Sequence, residues 1–267
     1  MKKASVAALF VVSWASASAQ WLHYRMAGVP RNRDGSPNLA APTPKTAYGK
    51  PDLSGVWDTP KNRPCPPDGC PDQEISQEFV NFGWGLKDGL PYQPWAAELV
   101  KSRMADNGKD NPAARCLPIG FPRLLTDAFY RKIIQLPELL VMLNERNASY
   151  RQIFMDGRPL PVDPDPSWNG YSIGKWDGDA LVVETNGFRD GLWLDSSGSP
   201  LSAGAKVTER LRRVNFGHMD VEVTVDDPKT YTKPWAVKLN LVLVPDTDLL
   251  DYICLENEKD VAHLVGK

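Results

Sequence analysis

Two carboxylates give this chain its clearest capacity for chemistry. In Val-Thr-Glu-Arg-Leu at 207–211, Glu209 shares a strand face with Val207 and Leu211. In Ala-Leu-Val-Val-Glu at 180–184, Glu184 shares a face with Ala180 and Val182. A carboxylate turned toward an apolar interior must pair with a cation, reach water, or hold its proton more tightly. Two such groups could act as general acid and base, with Tyr171 assisting. Alternatively, Glu209 closes an ion pair inside the fold, with Arg213 or Arg151 as the cation.

Binding chemistry concentrates in one loop. Asp156, Arg158, Asp163 and Asp165 precede Trp168 and Tyr171. Charged rims beside aromatic walls suit a sugar or a phenolic ligand. The ligand-binding candidates are Asp156, Arg158, Trp168, Tyr171, Trp176 and Arg210. Trp57, Trp193 and Trp235 suit a core, as does Trp176 if it binds nothing. The acidic spacing fits no calcium loop. The histidines His23, His218 and His263 would have to converge from distant segments to hold a metal. No metal and no cofactor are expected.

Gly-Tyr-Ser-Ile-Gly at 170–174 matches the Gly-x-Ser-x-Gly nucleophile elbow. That motif requires a strand, a sharp turn and then a helix. Here Ser172 is followed by Lys-Trp-Asp-Gly-Asp and a further strand, so the elbow has no helix to rest on. The segment reads instead as a strand whose glycines allow another backbone to come close.

The elements that must position these residues are strands. Residues 171–176 and 179–185 form a hairpin around Asp177 and Gly178, a dipeptide suited to the positive φ of a type I′ turn. Residues 131–136, 138–145 and 150–155 precede it. Residues 206–213, 219–225, 235–244 and 249–255 follow. Met219, Val221, Val223 and Val225 alternate with Asp220, Glu222 and Thr224. Period two with one apolar face marks antiparallel strands with one side in a core. The prolines between 156 and 166 exclude a central strand and predict a stiff crossing. About eight to ten strands with short turns predict a mainly β fold, an antiparallel barrel that closes its own edges.

The first half is less regular. Lys2 and Lys3, the apolar run 4–15 and Ala-Ser-Ala at 17–19 form a signal peptide over residues 1–19. Residues 20–50 read as an extended arm, and 51–267 as one barrel domain with an irregular insert at 60–125. Within the insert, residues 95–104 are the best of one or two short helices, with Trp95, Leu99 and Met104 on one face. A secreted or periplasmic address makes the four cysteines disulfide candidates. Local closure favours Cys65 with Cys70, leaving Cys116 for Cys254. A net charge of −2 without a basic run excludes a nucleic-acid surface, and no membrane span follows the signal.

Pro-Asp-Leu-Ser-Gly-Val-Trp at 51–57 resembles the Gly-x-Trp entry strand of lipocalin-like (calycin-type) barrels. Cys-Leu-Pro-Ile-Gly-Phe-Pro-Arg at 116–123, Arg-Gln-Ile-Phe-Met-Asp-Gly-Arg at 151–158, Gly-Tyr-Ser-Ile-Gly-Lys-Trp-Asp-Gly-Asp at 170–179 and Thr-Glu-Arg at 208–210 go further. Together they resemble a family of secreted bacterial proteins that brings no established activity. In that family the position of Tyr171 is often His, so this chain departs from it there. The combined expectation is binding of a small, partly apolar ligand in a barrel pocket outside the cytoplasm. The alternative is a hydrolase, lyase or isomerase acting on a sugar or phenolic compound.

Overall fold

A computed structural model describes residues 24–60, 81–83, 86–256 and 259. The signal segment, the Cys65–Cys70 pairing, His23 and His263 lie outside the described residues. The strands are β1 (Gly55–Asp58), β2 (Arg131–Gln135), β3 (Leu139–Asn144), β4 (Ser149–Phe154), β5 (Tyr171–Asp177) and β6 (Ala180–Asn186). After a small two-stranded sheet, β7 (Leu192–Trp193) and β8 (Pro200–Leu201), come β9 (Lys206–Arg213), β10 (His218–Asp226) and β11 (Trp235–Leu243). The one α-helix among the described residues is α1 (Pro94–Ala105).

Nine strands close in chain order into a barrel, β11 meeting β1. Closure of an odd ring has a consequence. Each antiparallel step reverses strand direction, so a closed ring needs an even number of such steps. Eight pairs here are antiparallel and the ninth, β4 with β5, is parallel. The all-antiparallel expectation is corrected at that one seam. A parallel pair cannot be joined by a tight turn and requires a long crossover. The proline-rich stretch between β4 and β5 supplies it.

Alternation sets the interior. Val207, Glu209, Leu211 and Arg213 of β9 are buried, as are Met219, Val221, Val223 and Val225 of β10. Opposite the β10 residues stand Leu241, Leu239, Val237 and Trp235 of β11, and Leu243 faces Trp57 of β1. Leu140, Met142, Ile153, Leu181 and Val183 fill the far side, so side chains occupy the barrel centre. Trp57 is fully buried and its indole Nε1 donates to Leu53 O at 2.9 Å. The Arg213 guanidinium covers its ring at 5.0 Å and donates to the carbonyls of Asp52, Asn215 and Phe216.

Several local expectations shift. The β5–β6 turn places Gly178 and Asp179 at its centre, because Asp177 pairs with Ala180. Gly178 has φ +60° and Asp179 does not share the positive φ, so the first position alone needs glycine, as in a type II′ turn. In α1 the buried residues are Ala96 and Val100, whereas Trp95 and Met104 are 47% and 43% exposed. Small residues face inward there because the helix lies close against the barrel loops. Residues 249–255 form no strand; a β-bridge between Tyr252 and Arg146 and a bond from Leu250 N to Glu145 Oε1 at 3.2 Å hold them against the turn after β3. Asp246, with φ +63°, turns the chain away before them. The Cys116–Cys254 disulfide fastens this tail to the insert, across 138 residues of sequence.

Candidate functional site

The parallel seam is only two pairs long, Ile153 with Ser172 and Phe154 with Ile173. On either side of it β4 and β5 part, and each parting is a cavity. One, of about 620 Å³, lies between Met155, Gly157 and Arg158 and the outer face of β5 and β6, where Lys175 and Glu184 stand; Trp176 borders it from the inward-facing side of β5, opposite Leu181. The other, of about 440 Å³, lies between β4 and the approach to β5, lined by Tyr150, Phe154, Trp168, Asn169 and Tyr171. Arg151 and Ser172 reach its floor.

A stack of three side chains stands between the two openings. Phe154 and Tyr171 face each other with ring centroids 5.3 Å apart and planes at 28°. Arg158 lies over the Phe154 ring at 4.0 Å and donates from Nη1 to Tyr171 Oη at 3.0 Å. Its other donors hold Asp156, with Nη2 to Oδ2 at 2.6 Å. The Asp156 carboxyl sits below the usual carboxylate range because Arg158 donates hydrogen bonds to it, and the Arg158 pKa is raised in turn. Trp168 is covered on one face by the Arg189 guanidinium at 4.4 Å, and its carbonyl accepts from Phe121 N at 3.1 Å.

Glycines permit these approaches. At Gly170, with φ +66°, a Cβ would stand 2.6 Å from Asn186 O. A side chain there would push Trp168 and Tyr171 off the barrel.

Glu209 faces inward, as its alternation predicts. It is fully buried, and Arg151 Nη2 donates to its Oε2 at 2.5 Å. Arg151 also donates to Ser172 Oγ at 3.1 Å and Thr185 Oγ1 at 2.8 Å, and lies over Phe121 at 3.5 Å. The interior ion pair is therefore present, with Arg151 rather than Arg213 as the cation. Ser172 is buried inside this network and the chain continues as strand, so no nucleophile elbow forms.

Glu184 is placed differently from expectation. Leu181, Val183 and Thr185 are the inward, buried residues at alternate positions of β6, Ala180 and Asn186 at its ends are buried as well, and Glu184 is exposed on the outer wall. The β6–β9 register, with Leu181 opposite Leu211 and Val183 opposite Glu209, decides the face. Arg210 is also outside, donating from Nη1 to Asp177 Oδ2 at 2.7 Å. Trp176 is partly buried, with Lys50 Nζ 5.7 Å from its ring centre.

Asp156, Arg158, Trp168, Tyr171, Trp176 and Glu184 thus gather along one seam; Glu209 does not join them, and Arg210 stands one strand further on. Phe154 and Lys175 complete the walls and were not singled out from sequence. Phe154 shares the outward parity of Tyr150 and Gln152, which is the signal that could have found it. Among the described residues no group of His, Cys, Asp and Glu is arranged to hold a metal ion. No family model matches the chain, and no curated protein matches it.

Proposed function

We propose that the protein binds a small, partly apolar ligand at the β4–β5 seam, outside the cytoplasm. The observation that carries this is the two-pair seam itself, which opens a cavity on each side of the Arg158–Phe154–Tyr171 stack. Aromatic walls with a few placed polar groups are the usual make-up of such sites. Tyr171 and Trp168 each offer a ring face to a phenolic ring or a sugar. Arg158, Lys175 and Glu184 offer charged edges. The Cys116–Cys254 disulfide supports an oxidising, secreted or periplasmic setting. Among the described residues no helix is long and apolar enough to cross a membrane.

Isothermal titration with 4-hydroxybenzoate and with cellobiose tests the proposal. Saturable binding of one of them, weakened by about tenfold or more in Tyr171→Ala and Trp168→Ala, is the expected result. No heat from either probe, or binding that both variants retain, overturns it.

A catalytic use of the same seam would rest on Glu184 rather than Glu209. Glu184 lines the larger opening, in water, beside Lys175, whereas Glu209 is sealed behind Arg151. Glu184→Gln would then abolish turnover of a bound substrate while leaving its affinity intact.

A further inference from the structure

Away from the seam, a cavity of about 590 Å³ lies among the loops around α1 and the disulfide. Its walls include Asn107, Asn111, Arg123, Arg146 and Ser196, and no carboxylate lines it. Two guanidinium groups share the cavity, and neither is fully matched by the protein. Arg123 is only 8% exposed. Its Nη1 donates to Asn111 Oδ1 at 3.1 Å and its Nη2 to Ser196 Oγ at 3.5 Å, both neutral partners. Among the described residues no carboxylate forms an ion pair with it.

Arg146 packs against two aromatic rings. Its guanidinium lies over Phe129 at 5.2 Å and Tyr252 at 5.7 Å. The nearest carboxylate oxygen, Asp127 Oδ2, is 3.7 Å away and accepts no hydrogen bond, and Arg146 Nε has no partner. The two rings, with centroids 4.6 Å apart, stand on one side of the group, and Arg146 lines the cavity beside Arg123. Burial pulls the Arg123 pKa below its ordinary value, Asp127 and Asp195 oppose that shift, and the positive charge of Arg146 adds to it. A buried cation without a full counter-charge is costly, and a planar fork of N–H donors matches an oxyanion well.

We infer that this cavity binds a small oxyanion, a phosphate or a carboxylate, between Arg123 and Arg146. The disulfide helps to build it. Cys116 directly follows the short 3₁₀ turn that Asn111 caps, and Cys254 lies two residues beyond the Tyr252 ring on which Arg146 rests. One bond thus ties the Asn111 wall to the Arg146 wall. The inference does not rest on the seam.

Titration of the mature protein with inorganic phosphate and, separately, with succinate distinguishes the two sources of the anion. Saturable binding of one or both is expected, weakening as sodium chloride is raised. Arg146→Gln should weaken it by about tenfold or more, Ser196→Ala by less, and Arg158→Gln at the seam should leave it unchanged. Should Arg146→Gln fail to fold, the wild-type titration and Ser196→Ala decide. The inference is overturned if neither anion binds at up to about 10 mM. Binding that survives both Arg146→Gln and Ser196→Ala, or that Arg158→Gln removes, overturns it equally.

Discussion

Arg151 on β4 and Glu209 on β9 meet inside the closed barrel, Nη2 to Oε2 at 2.5 Å, with side-chain exposures of 1% and 0%. They stand on opposite sides of the β5–β6 hairpin, so the pair joins the parallel seam to the antiparallel half. Arg151 Nη1 and Glu209 Oε1 have no hydrogen-bond partner, so the pair is the main satisfaction each charge receives.

Removing one member should therefore be worse than removing both. Glu209→Gln leaves a buried guanidinium without its counter-charge and should cost about 3–5 kcal/mol. Arg151→Met with Glu209→Met should recover most of that loss, because two apolar side chains of similar size need no partners. Urea unfolding of the two single variants and the double variant measures the coupling. Additive losses would mean that the two charges do not depend on each other.

Acid should release the N-terminal arm. Arg31 donates to both carboxylate oxygens of Asp246, at 2.6 and 2.5 Å, and Asp246 Oδ1 also accepts from Met26 N at 2.9 Å. These bonds hold the Asp246 carboxyl below its ordinary pKa, with the Arg31 hydrogen bonds the largest cause. A carboxyl with a depressed folded pKa stabilises the fold above its unfolded value, about 3.9, and loses that contribution as pH falls through the folded value. Hydrogen exchange over residues 24–50, taken relative to the intrinsic rate at each pH, should rise below about pH 4 and stay slow at neutral pH. Asp246→Asn should raise it already at neutral pH. Unchanged exchange in that variant would mean that the arm is held by other contacts.

Replacing both Cys116 and Cys254 by alanine should cost about 3–5 kcal/mol, since the bond closes a very long loop. Calorimetry should show a lower melting temperature for the double variant. A melting temperature within a degree or so of the wild type would mean that the tail contributes nothing to barrel stability.

The strands were legible because burial alternates along them. Charged or polar residues at 206, 208, 210 and 212 flank Val207, Glu209 and Leu211, so the face of Glu209 is fixed by its neighbours. Leu181-Val182-Val183 carries no such alternation. A continuous apolar run cannot say which side faces the core, and Glu184, expected inward, lies on the outer face. Register decides it, and a strand read one residue out of step sends every side chain to the other side. The helix face differs for a related reason: hydrophobicity alone favours Trp95 and Met104 inside, whereas Ala96 and Val100 are the buried residues.

By itself the sequence determined a β fold of about nine strands, a stiff crossing between residues 155 and 171, and an inward Glu209, because each depends on local periodicity or on proline chemistry. Only the tertiary structure decided where the ring needs a parallel pair. It also decided which cation meets Glu209, and that Arg123 and Arg146, 23 positions apart, share one cavity. Those outcomes follow from closing the chain on itself, and no spacing within a single strand records how distant strands line up.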